Sequence, residues 1–296
     1  MSWVCPMCST SNEDSFTNCM VCDAPAPAPG TIDGDDPEAV YKHGIEAFNS
    51  DDFYNAFNRF SEAAEVGYPP AENEVGRCYY LGKGTEKDLD KAFEWFSRSA
   101  SHGDASGLYN LGCCYYYGNG TVKSYTSAVE YLTKAADMEH AGAMLELGNC
   151  YYYGRGVPKN LNTAYSYFAK SAHAGNPPGM FNAGFCCENG KGTAADPALA
   201  FKFYTLAANK NYTPAVNAMG NCYFSGIGTA KNVDMAVSFY RRAAERGFAA
   251  AQYNLGFCME RGIGTPTDRA GAVSWYEKAA ARGNDNAKKA LSRLKG

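Results

Sequence analysis

A glycine recurs in this chain at a constant interval of 36 residues. The six positions are Gly76, Gly112, Gly148, Gly184, Gly220 and Gly256. Each of these anchor glycines is followed six and eight residues later by two more glycines, as in Gly154 and Gly156. Glycine suits a tight turn because it tolerates positive φ, so each pair marks a reversal of the chain. The repetition predicts one small structural unit stacked many times.

Both halves of a repeat carry apolar residues at helical spacing. Around Gly148, the first half has an i, i+4, i+7, i+8 stripe at Ala143, Leu147, Cys150 and Tyr151. The second half begins near Asn162 and has its stripe at Ala164, Phe168, Ser171 and Ala172. Each repeat is therefore predicted to be a helical hairpin with the glycine pair in its turn.

The stretch from Ala143 to Gly175, which contains L-G-N-C-Y-Y-Y-G-R-G, resembles the Sel1-like repeat, a tetratricopeptide relative with a longer turn. The resemblance covers about residues 37–296. It implies an all-α, right-handed α/α superhelical solenoid made of one short unit, six 36-residue units and a C-terminal capping helix.

The two ends of the array depart from the repeat. Gly44 precedes Gly76 by only 32 residues, which predicts a first hairpin without the two-glycine insertion. After the last repeat, Asn284 or Asp285 can cap a short helix in which Ala287 and Leu291 take the apolar positions. A half-repeat with a polar outer side is the terminal cap that a solenoid needs.

Four of the twelve cysteines form a separate pattern near the N-terminus. Cys5, Cys8, Cys19 and Cys22 form two C-x2-C pairs, a spacing that can present four thiolates to one Zn²⁺ ion. The alternative is a pair of disulfides in a secreted protein. The first residues show neither a basic start nor an apolar run, which favours zinc and a cytoplasmic location, with the nucleus as the alternative.

Trp3 and Asn12 complete the pattern W-x-C-x2-C-x3-N-x6-C-x2-C, which is similar to the RanBP2-type zinc finger. The resemblance implies that Trp3 packs beside the metal site and that Asn12 ties the two turns together. We therefore assign residues 1–23 to a zinc finger and residues 24–36 to a Pro/Ala-rich and acidic linker, which we expect to be extended and mobile.

The charge of this N-terminal segment argues against nucleic acid as its ligand. Residues 1–36 contain no Lys or Arg and six acidic residues, whereas nucleic-acid binding depends on neutralising phosphates. Ubiquitin-binding relatives carry Thr-Phe after the second cysteine, where this chain has Ser9 and Thr10. Met20 and Val21 still offer an apolar contact, so ubiquitin stays open as a ligand.

Six further cysteines recur two residues after the anchor glycines: Cys78, Cys114, Cys150, Cys186, Cys222 and Cys258. Equivalent positions in stacked helices stand about 8–10 Å apart, farther than the Cα separation of up to about 6.8 Å that a disulfide allows. We expect these cysteines to be small apolar fillers. No stretch approaches the roughly 18 apolar residues of a membrane span.

The sequence gives little support to catalysis. The four histidines, His43, His102, His140 and His173, share no repeat position and belong to no metal or nucleophile motif. The glycine pairs follow helices and not strands, so they are turns and not phosphate loops. We therefore expect a non-catalytic protein.

A row of asparagines is the candidate binding feature of the repeats. They lie two residues before or one residue after an anchor glycine: Asn110, Asn149, Asn182, Asn221 and Asn254. The tetratricopeptide-like resemblance implies that first helices line a concave wall, where amides can donate to and accept from a peptide backbone. Neighbouring aromatics that can form apolar pockets are Tyr109, Phe181, Phe185, Tyr253 and Phe257. The alternative is a structural row in which each asparagine bonds to the backbone of a neighbouring hairpin.

Together these features predict a protein-protein interaction scaffold or adaptor. The repeats are expected to bind one protein or peptide segment in their groove, and the zinc finger a second protein, with no nucleic acid or membrane involved. The alternative function is a ubiquitin-binding receptor or ubiquitin-ligase adaptor that acts through the finger.

Overall fold

The computed structural model describes residues 2–4, 11–13 and 36–295 of the chain. The four cysteines of the predicted zinc finger and nearly all of the predicted linker lie outside the described residues. Two short strands, β1 (Ser2–Val4) and β2 (Ser11–Glu13), pair antiparallel, with Trp3 opposite Asn12.

From Asp36 onwards the described chain is entirely helical and connected by turns. The helices before the second full repeat are α1 (Pro37–Asn49), α2 (Phe53–Glu65), α3 (Pro69–Leu81) and α4 (Leu89–Ser101). Next come α5 (Ala105–Tyr117), α6 (Tyr125–Asp137), α7 (Ala141–Tyr153), α8 (Leu161–His173), α9 (Pro177–Asn189) and α10 (Pro197–Asn209). The last are α11 (Thr213–Ser225), α12 (Val233–Glu245), α13 (Ala249–Arg261), α14 (Arg269–Ala281) and α15 (Asp285–Lys295).

The first glycine of each pair ends the first helix of its repeat. At Gly154, φ is 72° and the backbone N–H donates to the carbonyl of Cys150. This left-handed conformation closes a helix at low cost only for glycine. The second helix of the same repeat begins at Leu161, where the Asn160 side chain accepts from two backbone N–H groups. Its start thus lies slightly before the predicted position near Asn162.

The second glycine of each pair allows a close approach to the preceding second helix. A Cβ on Gly228 would lie 2.6 Å from the carbonyl carbon of Pro197, the first residue of α10. The same close approach occurs at Gly156, where a Cβ would lie 2.5 Å from the carbonyl carbon of Tyr125. The second glycine is therefore a contact between repeats as well as a turn residue.

The anchor glycine lets the two helices of one hairpin pack closely. A Cβ on Gly220 would lie 2.5 Å from the ring of Tyr240, twenty residues later on the second helix. The equivalent partners in the other repeats are Phe96, Leu132, Phe168, Tyr204 and Tyr276. In the short first unit, Phe60 lies against Gly44 in the same way, only 16 residues later, because the two-glycine insertion is missing.

The chain divides into two compact bodies. The N-terminal body comprises residues up to Leu111 with Asn119–Val122, and its core includes Val40, Phe60 and Val75. The C-terminal body comprises Gly112–Gly118 with Lys123–Gly296, and its main core extends from Ala164 to Cys258. At its end, α15 takes the place of the predicted cap: Asn284 accepts from the Ala287 backbone N–H, and the Ala287 side chain is fully buried.

These hairpins confirm the predicted all-α repeat solenoid fold for the described residues after Asp36. Within the same part of the chain, none of the helices combines the length and the apolar character needed to cross a membrane.

Candidate functional site

The asparagine row lies on the first helices, and its members are bonded in different ways. Asn110 donates to Asn73 Oδ1 at 2.7 Å in the N-terminal body. In the C-terminal body, Asn149 donates to Glu146 at 3.2 Å. Asn182 is half-buried, and its side chain forms no hydrogen bond to another described residue. The row therefore includes a bond to the preceding hairpin, as at Asn110, and a bond within one helix, as at Asn149, and neither of these two bonds joins a neighbouring backbone.

Asn221 and Asn254 meet at a pocket between α11 and α13. The pocket has a volume of about 250 Å³ and is walled by Phe224, Tyr253 and Phe257. Asn254 Nδ2 donates to Asn217 Oδ1 at 3.1 Å and approaches Asn221 Oδ1 at 3.4 Å. The structure thus brings two of the predicted asparagines and two of the predicted aromatics into one site.

The second helix α12 contributes Tyr240 to this pocket. Its ring packs against the Gly220 backbone, and its hydroxyl donates to Asn221 Oδ1 at 2.9 Å. Burial raises the pKa of the Tyr240 phenol, so the hydroxyl stays protonated and remains a donor at neutral pH. Tyr240 therefore fixes the orientation of the Asn221 amide.

These bonds leave one donor group and one acceptor at the pocket unused. The Oδ1 atom of Asn221 is occupied by Tyr240, while its Nδ2 group forms no hydrogen bond to the described residues. The reverse holds for Asn254, whose Nδ2 group is used and whose Oδ1 atom is unpaired. An unused N–H donor beside an unused acceptor is what the backbone of an extended peptide requires.

The other predicted aromatics are less enclosed. Phe181 is half-buried and packs against Tyr204 and Tyr212, with ring centroids 5.6 and 5.8 Å apart. Phe185 is 38% exposed on α9. Tyr109 is half-buried on α5.

The N-terminal body also contains a buried charge cluster that the sequence pattern does not indicate. Glu72 is fully buried, with Arg98 Nε 2.5 Å from one carboxylate oxygen and His102 Nδ1 2.8 Å from the other. The Arg98 contact satisfies the distance of an ion pair but not the geometry of a hydrogen bond. The three residues share no repeat position, so periodicity gave no signal for this cluster.

Tyr240 and Phe224 were also missed as pocket residues. The sequence does contain a signal for Tyr240. An aromatic or leucine residue lies twenty positions after every anchor glycine, which indicates a constant packing partner for that glycine. The hydroxyl at this position, present in Tyr204, Tyr240 and Tyr276, marks the repeats in which that partner reaches a polar group on the first helix.

The cysteine ladder has the predicted filler role. All six ladder residues are buried as free thiols. Burial raises the pKa of Cys78, Cys114, Cys150 and Cys222 to about 12, which makes these thiols poor nucleophiles at neutral pH. Among the described residues, no group of three or more His, Cys, Asp or Glu side chains is arranged to hold a metal ion.

Most residues of the predicted N-terminal site lie outside the described residues. Cys5, Cys8, Cys19 and Cys22 lie outside the described residues, so zinc binding stays a prediction. Trp3 and Asn12 are described as backbone partners in the β1–β2 pair.

Comparison with solved structures supports the same architecture. A Sel1 repeat protein from Oxalobacter formigenes is 31% identical, with a TM-score of 0.70, 88% of this chain covered and 76% of that chain. A protective antigen of uropathogenic Escherichia coli, c5321, which displays an SLR fold, is 28% identical with a TM-score of 0.71. The match covers 87% of this chain but only 56% of that one.

No curated protein sequence matches the chain. The Sel1 repeat model matches six consecutive segments: residues 69–104, 105–140, 141–176, 177–212, 213–248 and 249–284. These boundaries coincide with the six hairpins built from α3 to α14. The chain therefore belongs to the Sel1 repeat family.

Proposed function

We propose that this protein is a non-catalytic scaffold that binds an extended segment of another protein on the first helices of its C-terminal repeats. Sel1 repeat proteins are generally non-catalytic scaffolds, and repeat proteins of this kind bind protein or peptide partners. We place that binding at the pocket between α11 and α13.

The observation that carries the proposal is the pocket between α11 and α13. Its volume of about 250 Å³ is below the roughly 300–1,000 Å³ of pockets for drug-sized ligands. One large apolar side chain is a suitable occupant. The free donor of Asn221 and the free acceptor of Asn254 lie beside it, and both can bond to the peptide backbone that carries this side chain.

A photo-crosslinking experiment tests this location. Phe257 is replaced in the full chain by a photoreactive phenylalanine derivative, and adducts are identified in cells that express the variant. We expect a discrete protein adduct that weakens when Asn221→Asp removes the free amide donor. The control carries the same derivative at Leu206, which is exposed on the second helix α10. Equal adducts at both positions would contradict the proposal.

We also propose that residues 1–23 bind one Zn²⁺ ion through Cys5, Cys8, Cys19 and Cys22. The spacing of the cysteines supports this assignment. The β1–β2 pair adds to it, since residues 5–10, which contain the first two cysteines, connect two strands paired through Trp3 and Asn12. Metal analysis of the purified full chain is expected to give one zinc per chain, lost in Cys5→Ser.

The second candidate function is ubiquitin binding by this finger, supported by the apolar residues Met20 and Val21 between the last two cysteines. Titrating the full chain with ubiquitin, with methyl signals of these two residues observed, distinguishes it from an adaptor role for another protein. Unchanged signals would remove ubiquitin as the ligand.

A further inference from the structure

The pocket between α11 and α13 has a counterpart two repeats earlier, in the same C-terminal body. Subtracting 72 from the numbers of the eight pocket residues gives Asn149, Tyr152, Tyr153, Phe168, Phe181, Asn182, Phe185 and Cys186, so that Tyr153 stands in place of Ser225. Both asparagines are kept, and each aromatic is replaced by an aromatic. The step in between does not supply this set: 36 residues before the pocket residues, Phe185 and Asn217 occupy the positions of Asn221 and Tyr253.

The two sites share the packing of their aromatic walls. Tyr152 and Phe168 have centroids 6.4 Å apart at 49°, and Phe224 and Tyr240 have the same separation and angle. The ring-centroid distances of a second equivalent pair of contacts agree as closely. Phe181 lies 5.6 Å from Tyr204, and Tyr253 lies 5.7 Å from Tyr276.

A tyrosine-carboxylate bond is shared by two repeats that are two steps apart. Tyr204 donates to Glu188 at 2.6 Å in the fourth repeat, and Tyr276 donates to Glu260 at 2.8 Å in the sixth. In the fifth repeat, Tyr240 instead bonds to Asn221. The fourth and sixth repeats therefore resemble each other more closely in this contact than either resembles the fifth.

Polar groups are also unused at the earlier site. Phe168 lacks the hydroxyl of Tyr240, so Asn149 is held by Glu146 through its Nδ2 group, and its Oδ1 atom is free. The Asn182 side chain forms no hydrogen bond to another described residue. Phe185, the counterpart of Phe257, is 38% exposed.

We infer that the C-terminal body binds one extended peptide with two large apolar side chains, one for each of these two sites. This inference rests on the proposed function and specifies its ligand. First helices of successive hairpins stand at least about 8–10 Å apart, so the two sites lie at least roughly 16–20 Å apart. An extended chain rises about 3.3 Å per residue, so the two apolar residues lie at least about five positions apart.

Charge complementarity adds one acidic residue to this peptide. The Arg261 guanidinium lies 5.9 Å from the Phe257 ring centroid, and no described carboxylate forms an ion pair with it. The carboxylate of Glu260 is occupied by Arg293 and Tyr276. The counterpart of Arg261 at the earlier site is Asn189, which is neutral. The acidic residue is therefore expected next to the side chain bound between α11 and α13 only.

Selection from a random library of displayed peptides about 16 residues long tests this inference on the full chain, because that length exceeds the minimum span of roughly 20 Å. Enriched peptides are expected to share two apolar positions at a constant spacing of at least about five residues, with Asp or Glu beside one of them. Enrichment of a single apolar position would overturn the inference and leave the proposed function standing. A lack of any enrichment would contradict both.

Affinity measurements on an enriched peptide give the second test. Phe185→Ala and Phe257→Ala are each expected to weaken binding at least about tenfold, whereas the control Leu206→Ala leaves it unchanged. Replacing one apolar residue of the peptide by glycine should abolish the effect of one of the two variants and preserve that of the other. Unchanged affinity in Phe185→Ala would overturn the two-site inference, and thermal unfolding of each variant shows that it is folded.

Discussion

At the scale of single residues, each anchor glycine is explained by its contact with one side chain on the second helix of its hairpin. The Tyr240 ring occupies the space of a Gly220 side chain, so the periodic glycine is a packing requirement within the hairpin. Pocket formation depends on the same contact, since Tyr240 crosses Gly220 to reach Asn221.

Replacing Gly220 by alanine is expected to destabilise the C-terminal body by about 1–3 kcal/mol, because its Cβ would lie 2.5 Å from the Tyr240 ring. Helix propensity alone would favour alanine by about 1 kcal/mol, so the sign of the effect reports on the contact. The comparison is Gly271→Ala, whose Cβ would meet the flexible end of Met259 and the Asp268 carboxylate that caps α14, so its cost reports on the helix cap and not on a buried ring. Urea denaturation measures both, and a neutral Gly220→Ala would contradict the packing explanation.

The buried Glu72 cluster gives a second prediction at this scale. Arg98→Ala removes one cation from a carboxylate that has no exposure, and we expect it to cost about 3 kcal/mol. In a Glu72→Gln background the same substitution should cost much less, because no buried charge is left unpaired. A double-mutant cycle from urea unfolding measures this coupling. Equal costs in the two backgrounds would show that Arg98 acts through its packing and its hydrogen bond to the Ala64 carbonyl, and not through Glu72.

At the scale of helices and turns, the two glycines of each pair have different tasks. Gly226 ends α11 with φ of 75°, and a Cβ there would make only ordinary contacts. Gly228 combines φ of 67° with a close approach to the first turn of α10.

The matched variants Gly226→Ala and Gly228→Ala test this division. The first is expected to cost about 1 kcal/mol, the usual cost of a left-handed non-glycine residue. The second should cost more than about 3 kcal/mol, since its Cβ would also lie 2.6 Å from the Pro197 carbonyl carbon. Thermal unfolding of the two variants under identical conditions gives the comparison. A larger loss in Gly226→Ala would be inconsistent with the assigned roles.

Most of the element pattern was predictable from the sequence, because its signals are local. Glycine pairs, capping residues and apolar stripes all act within one hairpin, and they located the helices around Asn160 and Gly154 to within a few residues. The pocket was only half predictable. Asn221 and Asn254 follow the repeat, but the contact of Tyr240 with Asn221 depends on the close crossing of two helices, which no single stripe encodes.

At the scale of the whole molecule, the twelve cysteines fall into different classes. The ladder thiols are buried, and burial raises the pKa of Cys186 and Cys258 to about 11. Few of these thiols ionise near pH 8, and the thiolate is the reactive form. The four N-terminal cysteines are proposed to be protected by zinc instead.

Alkylation followed by mass spectrometry of the full chain separates these two kinds of protection. A strong chelator at pH 8 is expected to expose Cys5, Cys8, Cys19 and Cys22 to rapid alkylation while the ladder cysteines stay unmodified. Denaturant should then release the ladder. Rapid alkylation of the four N-terminal cysteines before chelation would contradict the proposed zinc site.

The central claim is that the asparagine amides at the α11–α13 pocket bind a ligand. Asn221→Asp tests it directly, because aspartate keeps an acceptor for the Tyr240 hydroxyl and removes the free Nδ2 donor. Asn162→Asp, on the exposed face of α8, makes the same charge change away from the pocket. The measurement is the affinity of both variants for a peptide selected on the unmodified chain, together with their melting temperatures.

We predict that Asn221→Asp weakens peptide binding at least about tenfold, the cost of one lost hydrogen bond that leaves its partner unsatisfied. Its melting temperature should stay within about 2 °C of the unmodified chain, and Asn162→Asp should change neither quantity. Unchanged affinity with a clear fall in melting temperature would show that the asparagine row holds the fold together and does not bind a partner.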